Sequence, residues 1–315
     1  MIINRRQLRI KVLQMLYSFE QTDDGMLGLF EKKLAKSIDE TYNLYLYYLL
    51  LLIEFRSLAE QKNTDSKSKL RPVKNDLNPS LLFVENPVLL SLTENKKLKK
   101  LFSKHSISWS SEMDLVRTVF NRIRNSDLYL QYIDRKEPEL ETDVAFIVKM
   151  FKDLVVNDEV LLSNLEEKSI YWIEDIDLVA SMIIKSFKRS KETTGTVAIL
   201  SLFKEEKEEK HFFKSLFHNS IVNREKIDKV IRDHTKNWDI ERIALMDILL
   251  MRLAVTEVTT FSSIPIKVTL NEYIELAKLY STNKSNFFIN GILDKSFSDL
   301  KDEGKINKTG RGLIA

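Results

Sequence analysis

Chain breakers are scarce in this sequence. Seven Gly and five Pro are spread over 315 residues, far below ordinary usage. So few breakers over so long a chain argue for helices joined by short connections, and the expected fold class is all-α. Apolar spacing agrees. Leu8, Val12, Met15, Leu16 and Phe19 fall on one face of a helix within residues 4–21. The greasiest run, "LYLYYLLLLI" at residues 44–53, is too short for a bilayer, which needs ~20 apolar residues. It is expected to be a buried core helix, with no membrane as partner.

A second helix is expected from about Leu27 through Leu58, followed by a long connection over residues 61–88 that carries Pro79 and Pro87. "ENKKLKKLFSKH" (94–105) is basic and amphipathic, a solvated face or a nucleic-acid contact. Ser110 or Ser111 would cap the next helix, with Glu112 and Asp114 in its first turn. Residues 188–195 read as a loop. "KEEKEEK" (204–210) would pair Lys204 with Glu208 and Glu206 with Lys210 on a solvated surface. Disorder is expected from about Asp302, where two Gly stand close together in a segment of low apolar content.

Several function classes are excluded. There is no Cys, hence no disulfide framework, cysteine nucleophile or thiolate metal site; the absence fits a reducing cytoplasm, the expected location. No signal-peptide pattern follows the N-terminal arginines. Glycine-rich phosphate loops are missing, and His105, His211, His218 and His234 lack metal-ligand spacing. No base, nucleophile and oxyanion donor come together. The chain reads as a non-enzyme, with no catalytic residue, metal or cofactor implied. A formal net charge of +3 means that any nucleic-acid site must come from local clustering.

Such a cluster opens the chain. Arg5, Arg6, Arg9 and Lys11 precede any acid in "NRRQLRIKVLQMLYSFEQ". Cations at a helix start oppose the macrodipole at a few tenths of a kcal/mol each. Arg6, Arg9, Leu13 and Tyr17 follow one stripe at steps of three and four. That stripe would track a phosphate backbone and stack a base, or it is a solvated basic helix start with a half-buried tyrosine.

The sequence also repeats internally. Residues 146–172 align without a gap on 212–238. Phe146 meets Phe212, Phe151 meets Phe217, Val156-Asn157 meets Val222-Asn223, Glu159 meets Glu225, and Trp172 meets Trp238. Each copy is followed by another apolar helix (176–187 and 240–258). Duplication, and a tandem of helical bundles, is the expectation.

The last third carries a specific pattern: Trp238, Asp247, Arg252-Leu253-Ala254, Glu257, Ile264-Pro265, Lys267-Val268, Asn271-Glu272, Glu275-Leu276-Ala277-Lys278 and Phe288-Ile289-Asn290-Gly291-Ile292-Leu293-Asp294-Lys295. With the N-terminal "RRQLRIKVLQMLYSFEQ" it resembles the NusB family of transcription antitermination factors, over residues 4–21 and 205–298. An ordinary NusB is less than half as long. The resemblance implies a NusB-like helical bundle split by an insertion. Its first helix would be 1–22, the inserted helical region 23–200 with its repeat-like segment 140–187, the remainder of the core 201–300, and the tail 301–315. Part of the insertion would be a decayed copy of the bundle.

The resemblance further implies binding of boxA-type single-stranded RNA in ribosomal RNA transcripts, together with the ribosomal protein NusE. RNA polymerase would be engaged indirectly. On that reading Arg5, Arg6 and Arg9 hold phosphates, Tyr17, Tyr280 and Phe288 serve bases or packing, and Lys284 and Ser285 sit at the start of the last helix. Phe287 is base-facing or core. Asp247, Arg252 and Glu257 would face the protein partner, although Arg252 has an alternative role inside the fold. Leu270, Ile274, Ala277 and Leu279 are expected to point inward, and Gly291 to permit a close helix crossing. Two other readings stay open: a helical interaction scaffold without RNA binding, and a stand-alone relative of the RNA-binding module of RNA cytosine methyltransferases.

Overall fold

The computed structural model describes residues 1–22, 26–67, 77–235, 243–282 and 284–313, and every regular element among them is helical. In chain order these are α1 (Arg5–Glu20), α2 (Leu27–Lys67), α3 (Pro87–Glu94), α4 (Lys96–His105), α5 (Met113–Arg124), α6 (Asp127–Ile133) and α7 (Leu140–Met150). There follow α8 (Glu159–Lys168), α9 (Ile176–Arg189), α10 (Glu206–Val222), α11 (Arg224–His234), α12 (Leu245–Thr260), α13 (Ile266–Tyr280) and α14 (Ser285–Asp302). The chain divides into two compact units. The first holds Met1–Ile2 and Asp39–Leu202, the second Ile3–Ile38 and Phe203–Ala315.

The first unit is organised on α2. Leu44, Tyr45, Leu46, Tyr48, Leu49, Leu51, Leu52 and Phe55 are all buried in its core, as the apolar run at 44–53 leads one to expect. Among the described residues no helix is long and apolar enough to cross a membrane. Helix α2 runs on to Lys67 where the sequence reads as a connection from residue 61. The stretch is polar but contains neither Gly nor Pro, so nothing stops the helix. Thr64 Oγ1 donates to the Glu60 carbonyl at 3.1 Å within it. Asn86 caps α3 by accepting from the Val88 N–H at 3.0 Å, with Pro87 in the first helical position. The expected serine cap of α5 is replaced by a 3-10 turn, Ser110–Glu112, without a side-chain cap bond. Glu112 instead accepts from Lys168 Nζ at 2.7 Å.

The repeated segments have the same order of elements. Helix α7 with its π turn Phe151–Val155 ends at Val156-Asn157, and α8 follows; α10 ends at Val222-Asn223, and α11 follows. The paired positions Phe146 and Phe212, Phe151 and Phe217, Leu161 and Ile227, and Leu165 and Ile231 are all buried. Trp172 is buried, donating from Nε1 to the Glu40 carbonyl at 3.0 Å. Its counterpart Trp238 lies outside the described residues.

In the second unit α12 is the central helix, packed against α1, α10, α11, α13 and α14. Apolar side chains surround it on all sides, the pattern of a fully buried helix. Leu249 through Val258 are buried without a break, and among them and just before them stand three charged residues, Asp247, Arg252 and Glu257. Each finds partners on another helix. Glu257 accepts from Arg9 at 2.7 and 2.8 Å, from Thr269 Oγ1 at 2.8 Å and from the Tyr273 hydroxyl at 3.2 Å. Arg252 donates twice to Asp228, at 3.0 and 3.0 Å, and once to Glu20 at 2.8 Å. Asp247 accepts from the hydroxyls of Ser281 and Ser285. The expectation that these three face a protein partner is therefore corrected: on a helix buried all round, they hold the bundle together. The first part of α2 belongs to this unit too. Phe30 and Leu34 are buried, and the Phe30 ring packs edge-on against Phe19 at 5.2 Å.

Three smaller expectations also change. Leu279 is 69% exposed, and Tyr273, Leu276 and Ala277 form the inner face of α13. Of the expected charge pairs, Lys210–Glu206 is present at 2.6 Å, whereas Glu208 stands 3.7 Å from Arg5. The segment after Asp302 is packed, not free. Ile306 is buried, and Lys308 Nζ donates to the carbonyls of Val258 and Phe261 at 2.8 and 2.9 Å, answering the open C-terminal end of α12.

Removing one partner of a buried ion pair strands the other. Arg252→Ala is expected to lower unfolding free energy by about 3–5 kcal/mol, and Arg252→Lys by less; urea denaturation measures both. A loss within error for the alanine variant would show that the clamp does not stabilise α12. Two glycines should respond with opposite signs. A Cβ at Gly195, with φ +89°, would stand 2.5 Å from Pro87 Cβ, whereas one at Gly291 meets nothing within 4 Å. Gly291 thus makes no close crossing. Gly291→Ala should raise the stability by about 0.5–1 kcal/mol, and Gly195→Ala should lower it. Thermal melts read both signs.

Candidate nucleic-acid interface

Helix α1 begins with a capping box. The Asn4 side chain accepts from the backbone N–H groups of Arg6 and Gln7 at 2.8 and 3.2 Å, and Gln7 Oε1 accepts the Asn4 N–H at 3.1 Å. Satisfying these donors offsets the cost of cations in the first turn. The helix can therefore present arginines where acids are usual.

The three expected arginines have different surroundings. Arg6 is 45% exposed and forms a two-pronged bond to Glu272, at 2.9 and 2.8 Å. That bond holds the Glu272 carboxyl below its ordinary range and raises the Arg6 guanidinium. Arg5 lies 3.7 Å from Glu208 at the surface, with its guanidinium over the Phe212 ring at 5.2 Å. Arg9 is 3% exposed and is taken up by Glu257. Burial works against its charge, but the Glu257 carboxylate outweighs burial and keeps the guanidinium firmly protonated. Burial, then Glu257, pushes the Tyr273 hydroxyl far up, so it stays a donor in this cluster. Arg9 is thus withdrawn as a phosphate contact. The stripe Arg6, Arg9, Leu13, Tyr17 is not continuous at the surface, because Leu13 is buried as well.

Arg5 and Arg6 line a groove of about 680 Å³ with Pro265, Val268, Glu272 and Arg311. Arg311 is exposed and has no side-chain ion pair or hydrogen bond among the described residues. The C-terminal segment places it there. Thr309 N–H donates to the Ser262 carbonyl at 3.0 Å. Gly312 passes so close that a Cβ would stand 2.0 Å from the Ser262 carbonyl oxygen. Sequence reasoning missed Arg311 because it treated the tail as disordered. The Gly-Arg-Gly run within it was the available signal.

The remaining expected residues are spread out. Tyr17 is 42% exposed, further along α1. Tyr280 and Phe288 are half-buried. Phe287, which sequence left open as core, is 77% exposed; it lies opposite the inner row of Ile289, Ile292, Leu293, Ser296 and Phe297. Lys284 is exposed immediately before α14 and makes no cap bond. Ser285 is buried with its hydroxyl donating to Asp247 at 2.8 Å, so that group is already engaged within the fold. Among the described residues no group of three or more His, Cys, Asp or Glu is placed to hold a metal ion.

Comparison with known proteins gives the family. The model of the NusB family matches residues 177–297. The transcription antitermination protein NusB of Salinibacter ruber is 39% identical over 138 residues, covering 42% of this chain and 86% of that protein. The protein of the same name from Chloroherpeton thalassium is 43% identical over 105 residues, 33% of this chain and 50% of that protein. The one from Bacillus licheniformis is 41% identical over 90 residues, 29% of this chain and 70% of that protein. No solved structure matches. The likeness to a relative covered over most of its length establishes that this chain belongs to the NusB family.

Proposed function

We propose that this chain is a transcription antitermination factor. On this reading it binds a boxA-type single-stranded element of ribosomal RNA transcripts together with the ribosomal protein NusE, and acts on RNA polymerase through that complex. The observation that carries the RNA half is the groove at the start of α1, where Arg5, Arg6 and Arg311 meet at an exposed surface. The exposed pair Arg5–Glu208 is worth about 0–1 kcal/mol. A phosphate therefore displaces Glu208 from Arg5 at little cost, and competes with the two-pronged Glu272 for Arg6. Arg9 is different, since moving it would leave the Glu257 carboxylate buried without its partner. Tyr17 lies roughly 17 Å further along α1, at 1.5 Å per residue, and offers an exposed ring for stacking a base. With Asp247, Arg252 and Glu257 internal, NusE binding rests on the family alone and has no assigned surface.

We also propose that part of the first unit, the repeat-like segment 140–187, is a decayed copy of the NusB bundle. Its support is the shared break at Val-Asn and the buried pairs at equivalent positions. An experimental structure with Trp238 in a core position like that of Trp172 would strengthen it; unrelated environments would remove it.

Arg5→Ala with Arg6→Ala should weaken binding of boxA-like RNA and flatten the log–log salt slope by about 1.4, at ~0.7 per single-strand phosphate contact. Filter binding at several salt concentrations measures this. Arg9→Ala should act on the melting temperature instead. Unchanged affinity and slope in the double variant would favour the scaffold reading. Lys284→Asp puts an acid at a helix start, where it suits the dipole, but opposes a phosphate backbone. The melting temperature should stay level or rise slightly, while RNA binding weakens at low salt and recovers relative to wild type as salt increases. Equal or tighter binding at low salt would place Lys284 away from the RNA.

A further inference from the structure

Helix α4 carries five lysines, at 96, 97, 99, 100 and 104, and no acid in its ten residues. At about 100° per residue the five lie within roughly 160° of arc. Leu98, Leu101, Phe102 and His105 occupy the opposite side. That side is occupied: Leu98 is buried, Leu101 and Phe102 pack against the core of the first unit, and His105 Nδ1 is 2.9 Å from Asn43 Oδ1. The helix thus has no apolar face to lay into a membrane, and what it shows outward is charge.

None of the five ammonium groups has an ion pair or a hydrogen bond among the described residues. Several cations elsewhere in this unit are answered by carboxylates, and no separate ten-residue stretch of it carries five lysines and no acid. Lys168, Lys191, Arg122 and Arg135 hold carboxylates at 2.7, 2.8, 2.9 and 3.1 Å. On α4, by contrast, Lys96, Lys100 and Lys104 follow each other at four-residue steps, and like charges at that spacing destabilise a helix. Lys96 and Lys97 also load its first turn against the dipole. The Asn95 cap, accepting from the Leu98 N–H at 3.0 Å, holds the turn in spite of them. The fold bears this charge without using it.

We propose that α4 is a second RNA-binding surface, which tracks the phosphate backbone without reading sequence. The flexible ammonium groups act as point charges along a polyanion, without the planar fork that fixes a bidentate partner. Successive members of the row 96, 100, 104 are about 6 Å apart along the axis. No aromatic side chain interrupts the lysine arc, so bases have no platform there and affinity comes from counterion release. That the polyanion is RNA rests on the antitermination reading above; that α4 binds a polyanion does not.

The test uses the full chain with Lys96→Gln, Lys100→Gln and Lys104→Gln combined. Binding of a long oligouridine should weaken at low salt, with the log–log salt slope flattened by about 2, for three contacts at ~0.7 each. A control with Lys226→Gln, Lys229→Gln and Lys301→Gln, exposed lysines of the second unit, removes the same net charge and should keep the wild-type slope. Melting of the α4 variant should be unchanged or raised, which separates lost binding from lost folding. An unchanged oligouridine slope, or equal flattening in the control, overturns the proposal. So does α4-dependent binding of polyglutamate that exceeds binding of oligouridine, which would make the partner an acidic protein. Loss of boxA-like binding on Arg5→Ala with Arg6→Ala is scored separately, so either reading can fail while the other stands.

Discussion

The second unit depends on how α12 accommodates three charges in a dry environment. Asp247, Arg252 and Glu257 stand five residues apart, so each is turned by about 140° from the last. No single surface can receive all three. Glu257 reaches α1 and α13, Arg252 reaches α1 and α11, and Asp247 reaches the connection into α14 and its first residue. A purely apolar central helix would leave rotation and register to packing alone. These bonds fix both, because a slip would strand a charge. Helix α1 is held at both ends, through Arg9 and through Glu20.

That clamp decides what the arginine arm can do. Arg9 carries the same side chain as Arg5 and Arg6 but a different commitment. Its partner is fully buried and shared with Thr269 and Tyr273. The partner of Arg5, Glu208, lies in high dielectric, where a phosphate competes with a carboxylate on nearly equal terms, and the Arg6 guanidinium is itself 45% exposed although Glu272 is mostly buried. Anchoring Arg9 also holds the first turn of α1 in place, so the outer arginines project from a fixed base. The docked C-terminal segment adds Arg311 to the same groove, far from the others in sequence.

The first unit meets the same problem of a central helix by different means. Its α2 buries leucines and tyrosines in place of charges, and its aromatic rings pack on one another, as Tyr132 does on Phe146 at 3.7 Å. Among its described residues, the densest run of unpaired lysines is on α4. The two units differ in residue type: arginines line a groove in the second, lysines an exposed helix in the first.

By itself the sequence determined the all-α class, the burial of residues 44–53, the inner face of α1 and the family. Each rests on periodicity, scarcity of breakers or motif order, which are properties of neighbouring residues. It did not separate Arg9 from Arg5 and Arg6, because the distinction lies in Glu257, 248 residues away. Nor did it reveal the docked tail, since low apolar content is also what a strap held by backbone carbonyls looks like. The internal place of Asp247, Arg252 and Glu257 was partly legible, as five-residue spacing on an apolar helix rules out one shared outer face. Which residues answer those charges was decided only by the tertiary structure, because a buried charge is tolerated or forbidden by partners that the fold alone brings within hydrogen-bonding distance.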